Sequence, residues 1–199
     1  MRVVRNFRAG NQDSCIEDSN ICFSFLCPGP ILQQILNTNL QLEEVPAQNA
    51  AAEEIRIWMH TEANQPLLQR ITRLDLKNCR LTSVPEEIGL CRGVQWLNLE
   101  SNQLTSLPER IFRRLDNLQE LILAHNQLTT LPEKIFRGLN NLEKLEFHHN
   151  EFITLSEEIF RGLNNLRELG LDYDQLTTLP GGIWNGAIDN GANLVYYRK

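Results

Sequence analysis

The chain has 199 residues, 42% of them hydrophobic, and a formal net charge of −6. That charge disfavours nonspecific binding to nucleic acid or to an anionic membrane. No apolar run reaches the roughly 18 residues that a membrane-inserting helix needs, so none is expected.

Residues 1 to 29 read as a mobile leader. Arg2, Arg5 and Arg8 could begin a secretory signal, but Asp13, Glu17 and Asp18 interrupt them and the apolar run Ile21 to Leu26 contains Ser24. That is a poor match to the signal template. Cys15, Cys22 and Cys27 lie here and Cys79 and Cys91 further on, an odd total of five without framework spacing. Folding in a reducing compartment, a cytoplasm, is therefore expected.

After Pro28-Gly29-Pro30, the residues Ile31, Leu32, Ile35 and Leu36 share one face of a short helix. A second helix is predicted from about Ala47 to Ala63, with Ile55, Trp58 and Met59 on one face and Gln65-Pro66 ending it. The segment Pro28-x-x-Ile31-Leu32-x-x-Ile35-Leu36, followed by Trp58, resembles the opening of an F-box. That resemblance implies recruitment of a ubiquitin ligase.

From Ile71 onward one pattern recurs. It runs Leu118, Leu121, Leu123, Asn126, Leu128, Leu131, and returns at intervals of 24 residues. Upstream it reads Val94, Leu97, Leu99, Asn102, Leu104, Leu107. Downstream it reads Leu142, Leu145, Phe147, Asn150, Phe152, Leu155, then Leu166, Leu169, Leu171, Asp174, Leu176, Leu179. A first unit, shorter by one residue, is Ile71, Leu74, Leu76, Cys79, Leu81, Val84. On these residues the chain resembles a leucine-rich-repeat protein, including the repeats of bacterial effectors. The resemblance implies an α/β solenoid, a horseshoe with a parallel β-sheet lining its concave side. The domain division is then a leader over 1–29, a helical N-terminal cap over 30–69 covering the apolar end of the array, and the repeat domain over 70–199.

In each unit L-x-x-L-x-L is a short strand with its leucines facing inward. Asn102, Asn126 and Asn150 mark the bend, where an amide can both donate and accept and so form a ladder. Cys79 takes that place in the first unit and Asp174 in the last, where an ionised carboxylate cannot donate. The return path Leu-Pro-Glu-x-Ile-Phe-Arg-x-Leu recurs, with Phe112, Phe136, Phe160 and Trp184 in one buried register. After Trp184 the pattern fades. Leu194-x-x-Tyr197 reads as a broken strand that either forms an edge blunted by Arg198 and Lys199 or leaves an end open to another chain, so oligomeric state stays open.

The residues between the leucines form columns on the concave face. They are Arg73, Trp96, Glu120, Lys144, Glu168; then Asp75, Asn98, Ile122, Glu146, Gly170; then Lys77, Glu100, Ala124, His148, Asp172; and, at the rim, Asn78, Ser101, His125, His149, Tyr173. Their mixed character predicts a face open to a partner. Arg73, Trp96, Glu100, Glu120, Ile122, Lys144, Glu146, His148, Asp172 and Tyr173 are the candidate partner-binding residues; Trp96 reads either as an aromatic anchor of the kind found at interface hot spots or as packed against a neighbour such as Arg73 or the N-terminal cap. Acidic side chains outnumber basic ones there, which again disfavours nucleic acid. His125, His149 and Tyr173 share one column with His148, Glu146 and Asp172 nearby, and read as a polar binding edge; no metal and no cofactor are expected. No phosphate loop, His-Glu-x-x-His or G-x-S-x-G motif occurs. The expected function is a non-enzymatic protein-binding module, the alternative an effector-like ligase adaptor delivered to a host cell.

Overall fold

A computed structural model describes residues 57–172 and 191–197. Within them the array is built from six short strands: β1 (Arg73–Asp75), β2 (Trp96–Asn98), β3 (Glu120–Ile122), β4 (Lys144–Glu146), β5 (Glu168–Asp172) and β6 (Asn193–Tyr197). They form one sheet in sequence order, every neighbour parallel. The register runs Arg73, Trp96, Glu120, Lys144, Glu168, Asn193. Each strand therefore closes one turn of a solenoid, and the spacing seen in sequence is its circumference.

The alternating strand leucines enter the core. Leu74, Leu97, Leu121, Leu145 and Leu169 are fully buried, as are Leu76, Leu99, Leu123, Phe147 and Leu171. From the return side come Phe112, Phe136 and Phe160, also buried. Phe147 packs on Phe160 and edge-on to Phe152, with ring centroids 6.0 and 5.4 Å apart. Burying each such ring contributes about 2–3 kcal/mol before ordering costs are subtracted. The return paths are turns rather than α-helices; the first, one residue shorter, tightens into a 3-10 helix at Glu86–Leu90.

The bend after each strand is held as the sequence predicts. Asn126 Oδ1 accepts the Leu104 N–H at 3.1 Å, and its Nδ2 donates to the carbonyls of Leu99 and Leu123 at 2.9 and 3.0 Å. Asn102 and Asn150 repeat the arrangement one turn to either side. Cys79, buried, contributes a Sγ contact to the Lys77 carbonyl at 3.3 Å. Asp174, Tyr173 and Trp184 lie outside the described residues.

A second ladder was not anticipated. Asn117, Asn141 and Asn165 donate across turns to the carbonyls of Arg92, Asp116 and Asn140, at 2.9, 2.8 and 2.7 Å. In the first unit this register position is Gly93. A Cβ there would fall on the Gln69 carbonyl oxygen, so no side chain fits.

At the N-terminal end the structure departs from the predicted helix. Residues 57–60 are helical, but the helix stops at His60 rather than at Ala63. Gln65-Pro66, read as a breaker, instead opens a one-turn helix, α1 (Gln65–Leu68). Proline suits that place because a first-turn N–H has no partner within the helix. Met59 is fully buried in the same core as Leu74, and half-buried Trp58 packs against it. Of the F-box-like segment, residues 28–56 lie outside the described residues, as does the leader. At the other end β6 pairs along five residues of β5, so the broken pattern at Leu194 is an edge strand.

Two stability tests follow from the ladders and the close approach. Asn126→Ala orphans the buried Leu104 N–H and leaves the Leu99 and Leu123 carbonyls with one asparagine donor each instead of two; it should cost about 2 kcal/mol, against about 1 kcal/mol for Asn117→Ala on the exposed ladder, and urea unfolding of both variants checks the order. Gly93→Ala should cost at least about 2 kcal/mol through backbone displacement. Gly89→Ala, whose Cβ would meet nothing nearer than 4.0 Å, serves as the control in the same melts.

Candidate functional site

The side chains between the inward leucines stand on the sheet's concave face. Most are half-buried, neither core nor fully solvated. They sort into two linked groups.

At the N-terminal end the Arg73 guanidinium lies over the Trp96 ring, 4.1 Å from its centroid. Trp96, read from the sequence as an exposed anchor or as packed on a neighbour such as Arg73, is half-buried with the Arg73 cation above it. Lys77 pairs with Glu100 at 2.8 Å. Below them Asp75 accepts the Lys77 N–H at 3.1 Å, while burial raises its carboxyl pKa. Glu120 and Ile122 follow on β3, half-buried, Glu120 without an ion-pair partner among the described residues.

The C-terminal half is a connected network. Lys144 bridges Glu146 at 2.7 Å and Glu168 at 2.8 Å, and these two carboxylates hold its pKa above the ordinary lysine range. Glu146 Oε2 stands 3.6 Å from His148 Nε2. His148 first, then Lys144, hold the Glu146 carboxyl down to about 2 against the opposing effect of burial. The 3.6 Å separation is an ion-pair distance rather than a hydrogen bond.

Around His148 three imidazoles meet. His148 Nδ1 and His149 Nδ1 are 2.8 Å apart. The His125 ring stacks on His149 at 4.3 Å and meets His148 edge-on at 5.4 Å. On its other side His148 stacks on Tyr197, 3.6 Å between centroids. Gly170 makes this possible: a Cβ there would crowd both Glu146 Cγ and Tyr197 Cε2 at 3.2 Å. His125 and His149 occupy left-handed backbone, φ +55° each, the conformation that ends each strand. Histidine tolerates it better than most residues. Burial, then the two neighbouring imidazoles, lower the His125 pKa.

Two candidate residues stand differently from the sequence expectation. Asp172 is fully buried and cannot touch a partner. Its two carboxylate oxygens instead accept the His149 N–H, at 2.9 and 2.8 Å. In the preceding turns that N–H goes to a strand carbonyl, as from His125 to His148 at 3.0 Å. His148 is buried as well, under the Tyr197 ring. The sequence placed Gly170 in its column without a role and Tyr197 only in a broken strand, because β6 follows β5 at 25 residues rather than 24. The odd spacing hid that Tyr197 belongs beside Asp172. Two shallow depressions lie on the return side, lined by charged residues such as Arg110, Lys134, Arg137 and Glu158, away from this face.

The repeat register has a counterpart in known proteins. The leucine-rich-repeat family profile matches residues 69–128 and 116–176, more than half of the chain. The chain belongs to the leucine-rich-repeat family. No curated relative matches it along its sequence. Among solved structures, two complexes contain chains similar to it. One is a TLR13–ssRNA13 complex, 33% identical over 51% of this chain, TM-score 0.47. The other is a Toll–Spatzle complex from Drosophila, 33% identical over 51% of this chain, TM-score 0.49. This chain spans only 14% of the length of either. Among the described residues no helix is long and apolar enough to cross a membrane.

Acid should probe the network. Glu146 carries a folded pKa below its ordinary 4.5, so its contribution is complete above about 4.5 and lost as pH falls toward 2. Glu146→Gln should lower stability by about 1 kcal/mol at pH 7, after allowance for solvent screening. The gap to wild type should close between pH 4.5 and 2. Guanidinium denaturation across that range gives the answer; a constant gap would assign the loss to packing instead.

Proposed function

We propose that the chain is a non-enzymatic binding module that takes a protein partner on the concave face. The observation that carries this reading is the row Arg73, Trp96, Glu120, Lys144 and Glu168. These are large side chains in register on five adjacent strands, all half-buried on a sheet whose other face is the core. A surface built this way offers an arginine-capped indole, an aliphatic Ile122 and an unpaired Glu120 within one patch. Aromatic and arginine anchors of this kind dominate protein interfaces.

Charge supports protein over nucleic acid. The accessible columns hold Arg73, Lys77 and Lys144 against Asp75, Glu100, Glu120, Glu146 and Glu168, and each of Lys77 and Lys144 is already ion-paired. A phosphate backbone requires cations in excess. The histidines, carboxylates and Ser101 on this face form no nucleophile–base–orienter set of the kind catalysis requires, which supports a binding role. A reducing compartment is part of the same reading: Cys79 and Cys91 are buried as free thiols, and burial pushes the Cys91 pKa up to about 12, far from a reactive thiolate.

The test compares captured partners by quantitative mass spectrometry for wild type, Trp96→Ala, Glu120→Lys and, on the return side, Arg137→Glu. The two concave substitutions should reduce a shared partner roughly tenfold or more, as hot-spot truncation does, with thermal midpoints near wild type. Arg137→Glu should leave capture intact. A partner lost with Arg137→Glu and kept by both concave variants would move the binding surface to the return side.

A further inference from the structure

We propose that His125, His148 and His149 form a binding site for a divalent transition-metal ion, Zn²⁺ in particular, at the rim of the concave face. The inference is independent of which partner the face takes. One ring nitrogen from each of the three lies within 4.8 Å of the others.

The geometry is close to what such an ion asks for. Two imidazole nitrogens bound about 2.0–2.1 Å from one zinc stand roughly 3.3 Å apart in a tetrahedral arrangement. The Nδ1 atoms of His148 and His149 already face one another at 2.8 Å. Between neutral rings that contact has one donor and one acceptor, so at least one lone pair points into the gap. A metal replaces the shared proton and uses both. The third ligand, His125, must close the remaining distance. It is exposed and sits on its own turn, so a side-chain rotation suffices.

The surroundings are those of a supported site. Metal-bound histidines characteristically present their second nitrogen to a carboxylate. His148 Nε2 faces Glu146 Oε2 at 3.6 Å, and Lys144 fixes that carboxylate. The His148 ring is clamped by Tyr197, so the central ligand is held before any ion arrives. Asp172 Oδ1 lies 3.4 Å from His149 Nδ1 and places a buried carboxylate beside the ligating nitrogen itself.

A polar edge made only of residues that tolerate left-handed turns would account for His125 and His149 but not for His148. His148 lies before the turn, is buried, and aims Nδ1 at its neighbour. With three protein ligands, a fourth would come from water or from a partner's side chain.

The experiment titrates the full chain with Co²⁺, read by visible absorption, and then competes with Zn²⁺. One equivalent should bind with d–d bands and no sulfur-to-cobalt charge transfer, which separates histidine ligation from the leader cysteines. His125→Ala and His149→Ala should each weaken binding roughly tenfold or more, since even supporting residues of metal sites cost that much. Metal-free thermal midpoints of both variants should stay near wild type. Zn²⁺ should raise the midpoint of the wild type and not that of His125→Ala. Absence of a stoichiometric site, charge-transfer bands alone, or affinity unchanged in both variants would each overturn the proposal.

Discussion

A chain that turns through a full circuit every two dozen residues must satisfy the backbone at each bend. The carbonyls of Leu76, Leu99 and Leu123 face inward where no strand hydrogen bond reaches them. An unpaired buried carbonyl or N–H costs about 1–3 kcal/mol. The amides of Asn102, Asn126 and Asn150 remove that cost, and each joins two turns in doing so. The solenoid's stability is therefore a sum over neighbouring turns rather than a property of one central core. The exposed ladder of Asn117, Asn141 and Asn165 does the same on the approach to each strand, with weaker consequence because water competes there.

That construction decides what the concave face can be. Leucines at every second position are committed inward, which leaves the alternate positions outside the leucine core. They can therefore hold a tryptophan under an arginine at one end and a bridge of lysine and two glutamates at the other without disturbing the core. The price is paid where side chains crowd: Gly170 is bare so that Glu146 and Tyr197 can both occupy the space above β5. The histidine cluster arises from the same geometry. Two turns end in histidine, adjacent strands bring those turns together, and His148 meets both rings edge-on.

The irregular ends show how the repeat logic fades. Where the strand pattern would send the His149 N–H to a backbone carbonyl, Asp172 takes it with a carboxylate. β5 then runs longer than its predecessors and pairs with β6 over five residues. At the other end Met59 is buried in the same core as the first turn, with half-buried Trp58 packed against it.

Much was legible in the sequence because the repeat period and the two-residue alternation of a strand are both local. They determined the solenoid, the strand order, the inward leucines and phenylalanines, the asparagine ladder and the column to which each concave residue belongs. Column membership says which residues are neighbours, but not how side chains share the space between them. Only the tertiary structure decided that Arg73 covers Trp96, that Asp172 is buried as a backbone acceptor, and that His148 turns Nδ1 toward His149. Tyr197 reached the cluster through a turn of irregular length, where the sequence period no longer predicts register. Gly93 carried no signal at all, since the need for a missing side chain exists only where the Gln69 backbone crosses it.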